Sequence, residues 1–306
     1  MAEFSKNKFE IIGCKDLDSE GILRPSMTYW QDAWRRLKKN KVAMFSLILL
    51  GVISLMTIIG PMISNFDYQI TNNDMVNVKP NGTYWFGTDT LGRDLFTRVW
   101  IGGRISIMIG LIGAVVDTVV GVIYGGIAGY IGGMTDDIMM RILEILISIP
   151  YLVLVILLRV IIDKGGLVPI ILAMTITGWC GMARLIRGQL LQIKEQEYIL
   201  AAKALGANPS RIIARHLVPN TLGVMIVSIT FDIPGFIFGE AFLSYLGLGV
   251  PSPMTSWGAL ASAGQQNLIF YAYQLIFPAL AISLTMLSFQ LLGDGLRDAL
   301  DPKLRQ

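Results

Sequence analysis

The sequence has 306 residues, of which 53% are hydrophobic and only 15% are charged, and its mean hydropathy is +0.59. A composition this apolar excludes an ordinary soluble domain and indicates a membrane protein. The two cysteines, Cys14 and Cys180, lie far apart and predict neither a disulfide framework nor a metal cluster. With a single histidine and without a Walker phosphate-binding loop, the chain is expected to bind neither a metal nor ATP.

Six apolar stretches are long enough to cross a membrane. The first, at 42–63, carries no charge and matches the roughly 20 residues that a bilayer requires. The other stretches run at about 105–130, 142–162, 167–186, 222–247 and 275–293. The predicted fold class is therefore an all-α integral membrane protein with six transmembrane helices.

The distribution of lysine and arginine predicts the orientation of these spans. Positive residues accumulate in the cytoplasmic loops of membrane proteins. If the N-terminus lies inside, the tails and inner loops carry 19 of the 25 lysines and arginines. Both termini are therefore predicted to be cytoplasmic, together with the basic loop 184–215.

The spans are rich in glycine, as in the run GVIYGGIAGYIGG at 121–133. Small residues allow the backbones of two helices to approach closely in lipid, where packing drives association. We interpret these glycines as helix-packing positions rather than as substrate contacts.

Two short helical patterns meet in the loop 195–220, hereafter the elbow. Gly206 is expected to supply the break that ends the first pattern. Asn208 suits an N-cap and Pro209 the first position of a second helix, which is expected to stop before Pro219. Helices this short need a partner to bury their faces.

The second helix of the elbow is amphipathic. One face is predicted to carry four residues, namely Ile212, Ile213, His216 and Leu217. Arg211 and Arg215 lie one turn apart on the other face. From the pattern alone, the elbow either lies on the lipid surface or docks into a cytoplasmic protein.

The elbow resembles the cytoplasmic coupling loop of ABC importer permeases, whose motif is Glu-Ala-Ala, three residues, Gly, nine residues, Ile-x-Leu-Pro. The matching positions are Ala201, Ala202, Gly206 and Pro219. Leu200 stands where the motif has glutamate, and His216 and Val218 replace isoleucine and leucine. Glu197, three residues earlier, is the candidate replacement for the missing carboxylate.

Three further phrases resemble the C-type permease of the dipeptide and oligopeptide ABC importers. They are FGTDTLGRDLFTRVWIGGRISIMIG at 86–110, EAFLSYLGLGVPSPMTSWGALAS at 240–262 and LLGDGLRDALDPKLR at 291–305. The resemblance implies the type I transmembrane domain of ABC importers. It implies a cytoplasmic tail at 1–41, a first span and extracytoplasmic loop at 42–100, a transmembrane domain at 101–296 and a cytoplasmic tail at 297–306.

The resemblance also implies partners and a location. A homologous second permease forms a heterodimer with this chain, two ABC ATPases bind ATP and magnesium, and an extracytoplasmic protein delivers the peptide. The chain itself is implied to be non-catalytic and to lie in the lipid of the bacterial plasma membrane, without nucleic acid. The positions implied to couple to the ATPases are Glu197, Leu200, Ala201, Ala202, Gly206, Arg211, Arg215, His216 and Pro219.

Asp117, Asp232 and Glu240 fall within predicted spans, where ionisable groups are costly and usually face water or the bundle interior. They are candidates for a polar lining of the translocation path. The alternative is structural pairing with an arginine or a helix end. Pro234, two residues after Asp232, is expected to remove one backbone hydrogen bond and to kink the fifth span.

The outer phrase GTDTLGRDLF supplies candidates for contact with the binding protein. Asp89 is expected to cap a short outer helix, with Arg93 and Asp94 fixing its orientation. A local structural role is the alternative. Trp257, in the last outer loop, fits an anchor at the membrane interface.

Other functions remain open at this point. The same architecture serves permeases for nickel, glutathione or an opine. A secondary transporter would be expected to show inverted repeats and to work without an ATPase. A purely structural membrane scaffold would not need carboxylates within its spans.

Overall fold

Within residues 28–162 and 166–301, which the computed structural model describes, the chain forms eleven α-helices. They are α1 (Tyr29–Lys39), α2 (Lys41–Ile63), α3 (Leu95–Ile131), α4 (Gly133–Ser148), α5 (Tyr151–Ile161), α6 (Val168–Lys194), α7 (Glu197–Ala204), α8 (Pro209–Ile212), α9 (Val218–Tyr245), α10 (Trp257–Gln266) and α11 (Tyr273–Leu300). A 3₁₀ turn at Asn73–Met75 and a π-helical turn at Ile213–Leu217 complete the helical elements. The predicted all-α class is confirmed.

In the described part of the chain, five helices are long and apolar enough to cross a membrane, and a bent pair raises the number to six if it counts as one span. The pair is α4 with α5, which meet at an angle of 80°. The third predicted span, 142–162, is therefore broken at Pro150. The residue before a proline is disfavoured in helical geometry, and Ile149 is accordingly extended, with ψ of 125°.

Contacts between the two ends of the described chain show that the number of crossings is even. The Tyr29 hydroxyl, on α1, donates to the Leu300 carbonyl at the end of α11, at 3.2 Å. Gly295 of α11 packs against Ala43, at the start of α2. The first span therefore starts where the last one ends, and the bent pair must cross as one span.

The elbow lies at this same end of the bundle, hereafter the elbow end. Lys194, at the end of α6, donates to the Tyr130 carbonyl near the end of α3, at 2.9 Å. Gly223, early in α9, lies against Tyr29 and Leu300. Both described chain ends and the elbow thus share one side of the protein.

Helix α3 is the central helix, and its glycines set its distance from α6. Gly121, Gly125 and Gly129 lie one turn apart and face α6, where a Cβ on Gly125 would overlap the Ala183 carbonyl oxygen. Gly126, the next residue, has open space around its Cβ position. The packing interpretation is confirmed for the glycines that face α6.

We expect Gly125→Ala to destabilise the permease by about 1–3 kcal/mol, because the added methyl group forces α3 away from α6. Gly126→Ala is the matched control, since the same methyl group meets no atom within 4 Å. The measurement is the apparent melting temperature of the detergent-purified permease. Equal melting temperatures for the two variants would contradict this account of the α3–α6 contact.

The segment expected to be a polar cytoplasmic tail, 1–41, contains a helix that the sequence analysis did not predict. The Thr28 amide donates to Gln31 Oε1 at 3.1 Å, which starts α1. Ala33 and Leu37 are buried, and Leu37 packs against α2 and α11, whereas Asn40 ends α1 and caps α2. The rest of the expected tail, including Cys14, lies outside the described residues.

Candidate functional site

The first half of the elbow ends in a Schellman motif centred on Gly206. Its φ is +77°, a left-handed value that strains residues with a Cβ. The Gly206 amide donates to the Lys203 carbonyl at 2.9 Å, and the Ala207 amide donates to the Ala202 carbonyl at 3.0 Å. The predicted chain break at Gly206 is confirmed.

The second half of the elbow begins as predicted but does not end as predicted. Asn208 Oδ1 accepts a hydrogen bond from the Arg211 amide at 2.8 Å, and the helix starts at Pro209. The expectation that it stops before Pro219 is wrong, because α8 passes through the π-helical turn directly into α9. Pro219 lacks the N–H that a regular α-helix would need, and the wider turn accommodates this irregularity.

The inner face of the elbow is anchored to the end of α6. Ile199 of α7 is fully buried, as are Ile212 and Leu217 of the second half. Together with Ile186 and Leu190 of α6 they form one apolar cluster. The predicted faces are therefore observed, since Arg211 and Arg215 of the second half are exposed on the other side.

The outer face of α7 exposes large apolar side chains. Tyr198, Leu200 and Leu205 are 45%, 52% and 89% exposed. Glu197 and Ala201 are exposed beside them, and Glu197 has no ion pair within the described part of the chain. These side chains form the exposed apolar patch of the elbow. Tyr198 and Leu205 were missed because the coupling-loop motif does not include them.

Three side chains join the two halves of the elbow. The Tyr198 and His216 rings lie 5.9 Å apart between centroids. Asn220 Nδ2 donates to the His216 carbonyl at 2.6 Å and to the Tyr198 hydroxyl at 3.4 Å. Asn220 belongs to α9 and His216 to the π-helical turn before it, so these contacts connect α7 directly to the start of a predicted span.

A bidentate ion pair fixes α4 to α6 near the elbow. Arg187 donates through Nε and Nη2 to the two carboxylate oxygens of Asp136, at 2.5 and 2.6 Å. Asp136 is buried, and two parallel hydrogen bonds of this kind define one orientation. The pair holds the start of the bent span at the elbow end.

Asp117 and Asp232 lie at the same level of the bundle. Helices α3 and α9 are antiparallel, and Gly113 packs against Phe236. Asp117 comes one turn after Gly113, and Asp232 comes one turn before Phe236. Because the two helices are antiparallel, both steps lead toward the elbow end, and the two carboxylates lie at one level. Asp117 is buried, and its Oδ1 has no hydrogen-bond partner in the described structure. Neither carboxylate has an ion-pair partner there, so the arginine pairing given as the alternative is not observed.

Glu240 differs from these two aspartates because it is fully buried and fully hydrogen-bonded. Its Oε1 accepts from the Ser244 and Ser256 hydroxyls at 2.7 and 2.6 Å, and its Oε2 accepts from Ser106 at 3.3 Å. The same Ser106 oxygen accepts from the Trp257 amide at 3.0 Å. Glu240 thus joins α3, α9 and α10 inside the subunit, and these contacts favour the structural alternative over path lining.

A cavity of about 650 Å³ opens at the elbow end. Its wall is formed by α1, α6, α9 and α11, and includes Tyr29, Leu185, Gln189, Gln192, Asn220, Gly223, Val224, Val227, Ser228, Phe231, Arg297, Leu300 and Asp301. The α6 and α9 side of the cavity carries neutral amide and hydroxyl groups. Phe231 lies next in sequence to Asp232, so the cavity leads toward the level of the carboxylates.

The charged side chains of the outer loop contact groups of the same segment. Asp89 does not cap an outer helix, contrary to expectation, because it closes a tight turn by accepting from the Leu91 and Arg93 amides at 2.8 and 3.0 Å. Its other oxygen pairs with Arg93 Nε at 2.7 Å. Asp94 is the residue that caps a helix, accepting from the Thr97 amide at 2.8 Å at the start of α3. All three candidates for binding-protein contact are thus involved in local structure.

Trp257 is a core residue rather than an anchor at the membrane interface. It is fully buried, and its Nε1 donates to the Val99 carbonyl at 2.8 Å. The expectation of an interfacial anchor is therefore wrong, because α10 folds back against α3.

Two family models match the chain. The model described as binding-protein-dependent transport system inner membrane component matches residues 121–306. The model described as the N-terminal TM domain of oligopeptide transport permease C matches residues 28–80. Both ranges differ from the boundaries expected from the sequence, and the second one includes α1.

Several curated proteins are similar over almost their whole length. The oligopeptide transport system permease protein OppC of Bacillus subtilis is 52% identical over 306 residues, covering 100% of both chains. The dipeptide transport system permease protein DppC of the same organism is 52% identical over 293 residues, covering 95% of this chain and 91% of the relative. OppC of Escherichia coli is 46% identical over 289 residues, covering 94% and 95%.

Solved structures of the inward-facing MetNI methionine ABC transporter share the fold. One of them has a TM-score of 0.54 at 22% identity and covers 68% of this chain and 96% of its own. The likeness supports the type I importer architecture.

Proposed function

Because the chain belongs to the binding-protein-dependent transport system inner membrane components, and to their oligopeptide permease C branch, we propose that it forms half of a peptide translocation path. It is a multi-pass membrane permease. Its proposed partners are a homologous second permease, two ABC ATPases that bind ATP and magnesium, and an extracytoplasmic peptide-binding protein. The proposed location is the bacterial plasma membrane, with both termini and the elbow in the cytoplasm.

The exposed apolar patch of the elbow is the observation that carries this proposal. Leu200 and Leu205 project from a short helix whose opposite face is locked to α6. A groove in a cytoplasmic ATPase would bury this patch, and Arg211 and Arg215 lie beside it for polar contacts at its rim. Since the elbow continues into α9, movement of the ATPase becomes movement of a span.

The polar cavity supports a peptide cargo. Gln189, Gln192, Asn220 and Ser228 offer donors and acceptors without net charge. Such groups match the backbone amides of any peptide, whatever its side chains. We propose that this cavity is the cytoplasmic part of the path contributed by this subunit.

Asp117 and Asp232, which lie at the same level of the bundle, support a second contact with the cargo. Two acidic groups without a cationic partner in the described structure favour a positive charge between the helices. A peptide amino terminus or a lysine side chain would supply this charge. Asp232 is the more accessible of the two and is the residue to test.

We expect Asp232→Asn to reduce uptake of basic peptides relative to acidic ones by about fivefold, which corresponds to a loss of about 1 kcal/mol of charge attraction. Assembly should be unchanged, because the side chain has no ion pair to break in the described structure. The measurement is uptake of labelled tripeptides of opposite charge. Equal effects on both peptides, with normal assembly, would reject a role of Asp232 in the path.

The choice of cargo is tested by uptake in a strain that lacks the gene. We expect the deletion to abolish uptake of labelled tripeptides and of oligopeptides, with restoration by the plasmid-borne gene. Uptake of nickel, glutathione and an opine should stay at the level of the parent strain. Loss of one of these instead of peptide uptake would replace the proposed cargo by that compound.

The proposed orientation predicts which positions react with an impermeant thiol reagent in intact cells. Thr71→Cys and Gln265→Cys are exposed at the end opposite the elbow and should be labelled. Ala214→Cys, exposed on the elbow, should be labelled only after permeabilisation. The variants are made after replacement of Cys14 and Cys180. Labelling of Ala214→Cys in intact cells would reverse the orientation.

A further inference from the structure

Helix α1 has two different faces. Its inner face, with Ala33 and Leu37, is buried, and Leu37 packs against α2 and α11. Its outer face exposes Trp30 and Trp34, which are one turn apart and 51% and 46% exposed. Large exposed indoles on a helix beside a membrane span need an environment that is apolar on one side and wet on the other.

The charges of this outer face are positive. Lys38 follows Trp34 by one turn, and its Nζ lies 5.2 Å from the centre of the Trp34 ring. Lys39 and Lys41 are exposed at the junction with α2. Asp32, which is the only acidic residue of α1, is paired with Arg36 at 3.0 Å. The exposed surface therefore combines indole rings with lysines whose charge no acid of α1 offsets.

The position of α1 suits a membrane surface. Asn40 is the single residue between α1 and the first span, and its Oδ1 accepts from the Val42 and Ala43 amides at 3.1 Å each. The helix is therefore held at the level where α2 leaves the apolar core of the membrane. Tryptophan and lysine are the residues that prefer this level, where indoles lie among headgroups and ammonium groups reach phosphates.

We propose that α1 is an interfacial helix that binds anionic phospholipid headgroups through Trp30, Trp34, Lys38, Lys39 and Lys41. The leaflet that it binds follows from the proposed orientation and is the cytoplasmic one. Because Tyr29 of α1 lines the polar cavity and holds the end of α11, bound lipid also stabilises the rim of that cavity.

The test replaces the three lysines together with glutamine, as K38Q/K39Q/K41Q, and measures the phospholipid that stays bound to the assembled complex after detergent purification. Each lysine near an anionic surface changes binding by about fivefold. We expect the triple glutamine variant to lose most of the phosphatidylglycerol and to keep the bound zwitterionic lipid. K38R/K39R/K41R is the matched control and should retain phosphatidylglycerol like the parent protein.

A photo-reactive residue at Trp34 identifies the occupant of the outer face directly. We expect cross-links to phospholipid in vesicles of phosphatidylcholine with phosphatidylglycerol. Cross-links to an ATPase or to the second permease would show a protein interface and overturn the proposal, as would unchanged phosphatidylglycerol retention in the triple glutamine variant. Neither readout depends on transport, so failure here is distinguishable from failure of the proposed peptide import.

Discussion

Replacing Gly206 with leucine is expected to leave a membrane-inserted complex whose ATPases bind poorly or hydrolyse ATP without moving peptide. The φ of +77° at Gly206 costs about 1–2 kcal/mol for a residue with a Cβ, which is roughly a five- to thirtyfold change in population. The added side chain also projects from the elbow at the point where its two halves meet. The spans pack independently of this position, because no atom lies within 4 Å of a Cβ built there.

The matched control for this substitution is Gly247→Leu. Gly247 has the same φ of +77° and the same open surroundings, but it follows α9 at the end opposite the elbow. Co-purification of the ATPases and peptide uptake are measured in one preparation. We expect both to fall in Gly206→Leu and to stay at the parent level in Gly247→Leu. Gly206→Asn should fall between this variant and the parent, because asparagine tolerates the left-handed conformation better. Normal uptake by Gly206→Leu would show that the elbow lies on the lipid surface and does not couple to the ATPases.

Glu240→Ala is expected to prevent assembly of the permease rather than to change the charge preference of transport. The substitution leaves the Ser106, Ser244 and Ser256 hydroxyls without their shared acceptor and opens a cavity between three helices. Unsatisfied buried groups cost about 1–3 kcal/mol each, and a large-to-small change in a core costs about 2–5 kcal/mol. The amount of folded permease in the membrane, measured by size-exclusion profile and protease resistance, should fall strongly.

Glu240→Gln is the matched variant that retains the shape of the side chain. Its amide oxygen still accepts from two hydroxyls, so it should recover much of the folded protein. If Glu240 lined the path instead, both variants would assemble normally and would shift uptake between basic and acidic peptides. That outcome would contradict the structural role that the serine contacts favour.

The spans and the helix ends of the elbow were predictable from sequence because they depend on residues that are close together in the chain. Uncharged stretches near 20 residues predict spans, and Gly206 followed by Asn208 and Pro209 predicts a helix end and a helix start. The amphipathic pattern of the second helix likewise placed Ile212 and Leu217 inside. These signals need no knowledge of other parts of the chain.

Features that depend on distant partners were not predictable. Helix α1 is held by α11 through a contact between residues 271 positions apart, so the basic segment around α1 indicated only a polar tail. The partners of Glu240 come from positions 106, 244 and 256. Pro219 signals a helix stop by local rules, whereas the chain continues through a π-helical turn and the elbow packs against α6.

Peptide uptake into proteoliposomes tests the central claim most directly. The vesicles contain this chain with its partner permease and the two ATPases, and the binding protein and a labelled peptide are added outside. We predict that peptide accumulates only when ATP and magnesium are enclosed, and that the Gly206→Leu complex fails under the same conditions. Accumulation driven by an ion gradient, with the permease pair alone and without ATPases, would contradict the account and identify a secondary transporter.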